Sequence, residues 1–165
     1  MLTAKHCLPY LMASAKNGKN PHVLNLSPPI VLSGHPDYKG IGQANYMINK
    51  LGMTISAISI SEEYKEAGVA GNTMWPVGLV TTSALNHMMA NDKEKIDNMM
   101  QNGRTPQIQA DAAYAIITSS SSGFTGNMCI DEQVLRKAGE TDFKKYDYIT
   151  LGDTVDARLA NILAN

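Results

Sequence analysis

Three short β-favouring runs, each separated from the next by helical periodicity, constrain this chain more than any other feature. They are His22 to Leu26 (HVLNL), Val69 to Trp75 (VAGNTMW) and Phe124 to Ile130 (FTGNMCI). Between the first two, Ile41 to Glu66 carries apolar or small residues at three- and four-residue intervals, among them Ala44, Met47, Ile48, Leu51, Ile55, Ile58 and Ile60, which predicts a long helix. Between the second and third, Thr105-Pro106 reads as a helix start, and Ala110, Ala112, Ala113, Ala115 and Ile116 continue it. Strands alternating with helices imply an α/β fold with a parallel sheet covered on both faces.

The rest of the chain fits around this frame. Leu2 to Ala15 reads as an uncapped first helix that Pro9 should bend or confine. Ser27 to Gly40, with three prolines and two glycines, reads as a loop. Asn86 to Met100 reads as one or two short methionine-rich helices, Ser119 to Ser122 as a solvated turn, and Ala157 to Leu163 as an amphipathic helix. A 44% share of hydrophobic residues can furnish a core. The formal net charge of -1, with both signs mixed along the chain, gives no electrostatic footprint for nucleic acid. Cys7 and Cys129 lie far apart, the four histidines do not cluster with other ligands, and no apolar run is long enough for a membrane span. A soluble intracellular protein without a metal is the expectation.

Ligands in parallel sheets gather beyond the carboxyl ends of the strands. Here those ends are Leu26-Ser27, Trp75-Pro76 and Ile130-Asp131, and the helix after the first of them opens with ANYMINKLGM. Tyr46 and Lys50 stand one turn apart on one face of that helix. A free tyrosine titrates near about 10, and an adjacent positive charge favours the phenolate, so Tyr46 is a candidate proton donor or acceptor at a carbonyl or alcohol.

In order and spacing, LNLSPPI, ANYMINKLGM, GNTMWPVGLVTT, ADAAYAI and SGFTGNMCIDE resemble the C-terminal half of the short-chain dehydrogenase/reductases, over about Leu2 to Tyr146. The resemblance implies a Rossmann-type doubly wound sheet whose N-terminal βαβ half is missing, with residues 147–165 as a tail or linker. It implies an NAD(P)-dependent oxidoreductase, NADP being slightly preferred, that interconverts an alcohol and a carbonyl on a small or lipid-like substrate. Tyr46 would be the acid/base, and Lys50 would hold the nicotinamide ribose. Ser27 would bond the substrate oxygen, although the family serine stands where this chain has Pro28, and Ser33, thirteen residues before Tyr46, is the alternative. Pro76, Val80, Thr81 and Thr82 would hold the nicotinamide carboxamide, although Val77 replaces the family's glycine after the proline. The family's glycine-rich phosphate loop has no counterpart in the sequence. The chain is accordingly expected to be a fragment, or to have its first strand's edge covered by another chain. An inactive module that dimerises through helices 2–15 and 41–66 is the alternative, and a related epimerase or dehydratase a third reading. The resemblance leaves peroxisome, mitochondrion and cytosol all open.

Overall fold

In the computed structural model, residues 2–30, 44–83 and 103–148 are described. They fall into two compact units: 2–30, 44–77 and 109–140 in one, and 78–83, 103–108 and 141–148 in the other.

The first unit is built on a three-stranded parallel sheet, β1 (His22–Leu26), β2 (Ala70–Trp75) and β3 (Met128–Ile130), in that spatial order. The α/β class with a small parallel sheet is therefore as the alternation of patterns implies. The register pairs Asn25 with Thr73 and Trp75 with Ile130. Central β2 is buried along almost its whole length, as a strand covered on both faces must be.

Helix α1 (Leu2–Lys16) continues through Pro9 without interruption. It packs Leu8 against Ile60 and Val69, with Leu11, Met12 and Val23 around them. Helix α2 (Ala44–Glu63) stops before the expected Glu66, giving way to a turn that ends on Gly68 at φ +75. Its buried residues are Thr54, Ser56, Ala57, Ile60 and Ser61, whereas Ile48 is 67% and Ile55 56% exposed. The expected apolar stripe is thus only partly the buried one. The reason is Gly71 on β2: a Cβ there would lie 2.2 Å from the Ala57 carbonyl oxygen and 2.9 Å from the Ser61 nitrogen. The helix backbone rests on the strand, and only small side chains fit into the contact.

Strand β3 is shorter than the run Phe124 to Ile130. The preceding residues instead fold back onto β2: the Gly71 amide donates to Thr125 Oγ1 at 3.0 Å, the Gly126 amide to the Gly71 carbonyl at 2.8 Å, and Gly126 takes φ +75. Asn72, fully buried, donates to the Phe124 carbonyl and accepts from the Asn127 amide and side chain. Hydrogen bonding to a neighbouring strand replaces the ladder these residues would otherwise extend. The serine turn is likewise not wholly solvated, because Ser121 is buried and its amide donates to Asn20 Oδ1.

Helix α3 (Gln107–Ile117) buries Ile108, Ala112 and Ile116, spaced at four residues. Helix α4 (Asp131–Lys137) is not among the elements that the periodicity predicts. It has acidic residues in its first turn, basic ones in its last and an Arg136–Glu132 ion pair at 2.6 Å, an arrangement that complements the helix dipole. Cys129 is buried, which raises its thiol pKa against a weaker opposing effect of Lys137, while Cys7 is exposed.

The second unit is organised around Arg104. Its amide donates to the Leu79 carbonyl at 2.8 Å, its carbonyl accepts from the Thr81 amide at 2.9 Å, and its guanidinium donates to the Phe143 carbonyl and pairs with Asp147. A 3₁₀ turn, Lys144–Tyr146, sets the buried Tyr146 against Phe143, with ring centroids 6.0 Å apart. The Tyr148 amide donates to the Gly103 carbonyl. The helices expected at Asn86 to Met100 and at Ala157 to Leu163 lie outside the described residues, as does the expected tail beyond Tyr148.

The close contact of α2 with β2 sets the first test. Gly71→Ala should lower unfolding stability by roughly 3 kcal/mol or more, because the listing of the helix away from the strand loses packing along its length. Gly52→Ala, where a Cβ meets nothing within 4 Å, should raise it by roughly 0.5–1 kcal/mol. Urea denaturation of both variants measures the difference.

Candidate functional site

Tyr46 and Lys50 lie in the first two turns of α2, and the packing just described carries those turns over the carboxyl ends of β1 and β2. The Lys50 ammonium donates to the Leu26 carbonyl at 2.8 Å. It also stands 5.7 Å from the centre of the Tyr46 ring and 5.6 Å from that of Trp75, both within the range of a cation–π attraction. The strand ends, the lysine and the tyrosine are thus joined in one constellation.

The Leu26 carbonyl is available because β1 is an edge strand among the described residues. Ser27 donates its amide to the Met74 carbonyl, and the Pro21 carbonyl accepts from Ala70, so alternate residues of β1 face β2. Leu26, one residue out of phase with these, turns its carbonyl to the open side. The Asn25 side chain donates to the Met53 carbonyl at 2.8 Å and ties β1 to α2 one turn further along. A groove of about 730 Å³ runs beside this edge between α1 and α2, lined by Cys7, His22, Leu24, Asn25, Asn49 and Met53 among others.

Tyr46 is 50% exposed, and its hydroxyl has no hydrogen-bond partner among the described residues. Ser27 is 0% exposed, and its buried hydroxyl has no hydrogen-bond partner among the described residues. The neighbouring Thr54 hydroxyl donates to the Pro28 carbonyl at 2.6 Å, which fastens the start of the following loop to α2. Ser33 lies outside the described residues. Pro76 follows β2 directly. Val80, Thr81 and Thr82 belong to the second unit, where Val80 bridges Arg104 and Thr82 is exposed. Thr81 is buried, and its amide and hydroxyl both donate to the Arg104 carbonyl.

Two residues of this region escaped the sequence reading. In the sequence Trp75 stands only as the end of a strand-like run, yet its ring is one of the two faces against Lys50. Asp131, fully buried at the end of β3, accepts from the Val77 amide at 2.9 Å, the Glu132 amide at 2.6 Å and the Gln109 side chain. It anchors the residues that leave β2. An acidic residue at a strand end that also opens a helix was the available signal. No group of three or more His, Cys, Asp or Glu that could hold a metal occurs among the described residues.

With this geometry in view, the likeness to known proteins is specific. Hydroxysteroid dehydrogenase-like protein 2 of Xenopus tropicalis is 41% identical over 145 residues, 88% of this chain and 31% of the relative. A short-chain dehydrogenase structure from Mycobacterium thermoresistibile is 40% identical, with a TM-score of 0.66 over 79% of this chain and 43% of that one. This is part of a short-chain dehydrogenase/reductase fold. A structure from Xanthomonas campestris, also described as a dehydrogenase, is 35% identical with a TM-score of 0.70, covering 87% of this chain and 48% of its own. No protein-family model matches the chain. The chain therefore spans less than a third of that curated relative and less than half of each of these two structures. The three-stranded sheet is correspondingly small for the fold.

The Asp131 contacts supply a second test. Asp131→Ala leaves buried donors without an acceptor and should cost roughly 2–4 kcal/mol. Asp131→Asn, which keeps an accepting oxygen, should cost less than half of that. Thermal unfolding of the two variants beside wild type gives the comparison, and equal losses would show that burial rather than acceptance governs the site.

Proposed function

We propose that this chain contributes the proton-transfer part of an NAD(P)-dependent oxidoreductase that interconverts an alcohol and a carbonyl, with a small or lipid-like hydroxy compound as substrate. One observation carries the reading. A lysine held by a strand-end carbonyl lies beside a half-exposed tyrosine whose hydroxyl has no hydrogen-bond partner among the described residues.

In reduction Tyr46 gives its proton to the carbonyl oxygen, and in oxidation it receives the proton from the alcohol. Lys50 gives one of its three N–H donors to Leu26, and among the described residues the other two have no acceptor and would serve ribose hydroxyls. Ser27 is the uncommitted hydroxyl nearest in sequence to that carbonyl. Being fully buried, it bonds a substrate oxygen only when the groups covering it shift. The exposed Thr82, with Pro76 and Val80, is the remaining candidate for the carboxamide, whereas Thr81 has both donors engaged within its own unit. A nicotinamide, when bound, would supply or accept the hydride. The residues present fit its nicotinamide-ribose end. A glycine-rich phosphate turn is absent from the sequence, so the pyrophosphate calls for residues from elsewhere.

Titration of the chain with NADH and NADPH, followed by reduced-nicotinamide fluorescence, tests this. Saturable binding should fall about tenfold or more in Lys50→Ala, whereas Tyr46→Phe should bind comparably and lose turnover. Binding untouched by Lys50→Ala would remove the lysine from the reading.

A second reading rests on α2 itself. Its exposed Ile48 and Ile55 are seven residues apart on one face, and such a face suits association with another chain. The double variant Ile48→Glu/Ile55→Glu should sediment as a monomer at concentrations where wild type self-associates, with unchanged helical circular dichroism. Identical sedimentation of the two would end this reading.

A further inference from the structure

Trp75 occupies the carboxyl end of the central strand, a place where its ring could have been covered by the sheet's own neighbours. It is instead only partly buried and faces the ammonium of Lys50 at 5.6 Å. On the helix side, the same ammonium lies 5.7 Å from the Tyr46 ring, and its one hydrogen bond among the described residues runs to Leu26. A single hydrogen bond fixes the distance of a lysine nitrogen but leaves its long stem free to swing about the acceptor. Two ring faces remove much of that freedom, because a cation is drawn to the negative face of an aromatic ring, and to that of indole most strongly.

We propose that Trp75 is a positioning residue for Lys50: its indole face, acting with the Leu26 carbonyl, holds the ammonium against Tyr46. This deepens the oxidoreductase reading and rests on it for its catalytic meaning. The placement stands on the geometry alone. A leucine at position 75 would keep the bulk and remove the ring quadrupole, and a phenylalanine would keep a weaker one. Trp75 acts only through Lys50 and is not a catalytic residue.

The chain has one tryptophan, so biosynthetic fluorotryptophan gives one fluorine resonance, and that resonance reports on this ring. In the ligand-free 165-residue chain, Lys50→Met should shift the resonance, and Tyr46→Phe, which keeps both the ammonium and a ring, should leave it close to the wild-type position. In the reverse direction, the Lys50 side-chain methylene protons should be displaced upfield by the indole ring current, lose that displacement in Trp75→Leu and keep part of it in Trp75→Phe. A fluorine resonance indifferent to Lys50→Met, or Lys50 protons at solvent-exposed values in wild type, overturns the placement.

Titration with NADPH then tests its consequence. Affinity should weaken roughly three- to tenfold in Trp75→Leu and recover in part in Trp75→Phe. Equal affinity in wild type and Trp75→Leu overturns the positioning role. Absence of NADPH binding by a folded wild-type chain overturns the proposed function of this chain but not the placement, which the fluorine and proton shifts decide without any ligand.

Discussion

The bare backbone of Gly71 beneath α2 is the contact on which the first unit depends. Any side chain at that position would meet the Ala57 carbonyl and the Ser61 amide of the helix, and a helix lifted by one methyl group would no longer reach the strand ends in the same way. Small residues on the buried face follow from this, as do the large ones turned outward. The helix is held by proximity of backbones and by Thr54 and Asn25 bonding across to neighbouring carbonyls, more than by a broad apolar stripe.

That proximity is what brings chemistry to the site. The beginning of α2 overhangs β1 and β2, so a lysine in the helix's second turn finds a carbonyl on one side and an indole on the other. Position on a rigid helix, supported by a strand, orders a functional group better than a loop would. The end of β2 is secured in its turn by Asp131, whose carboxylate collects the Val77 amide beyond the strand. The same strand is joined to its other neighbour by the Thr125-Gly126-Asn127 segment, which works as a structural clasp on Gly71 and Asn72.

Much of this was legible in the residues, and the reasons for the remainder are physical. Periodicity and strand-like runs defined β1, β2, α1 and most of α2, because local pattern and tertiary environment agree there. The spacing of Tyr46 and Lys50 placed them on one face, as found. Phe124 to Asn127 looks like strand by composition, yet side-chain hydrogen bonds to β2 outcompete the ladder, and such long-range bonds leave no local trace. Ile48 and Ile55 looked like core for the same reason that Thr54 did not: periodicity identifies a stripe, but the glycine opposite decided which side of the helix could approach. Helix α4 is short enough that its apolar period is weak, although its acidic start and basic end were readable. The burial of Ser27 and the engagement of Thr81 by Arg104 depend on contacts between distant segments, which spacing alone does not encode.

The Leu26 carbonyl belongs at once to the margin of the sheet and to the setting of Lys50. A strand laid against that margin would donate to β1's outward carbonyls, and each donor changes how strongly such an oxygen accepts a second hydrogen bond. Completion of the sheet and placement of the lysine are therefore thermodynamically linked: whatever free energy a neighbouring strand adds to or takes from the Lys50–Leu26 bond, the lysine returns to the binding of that strand.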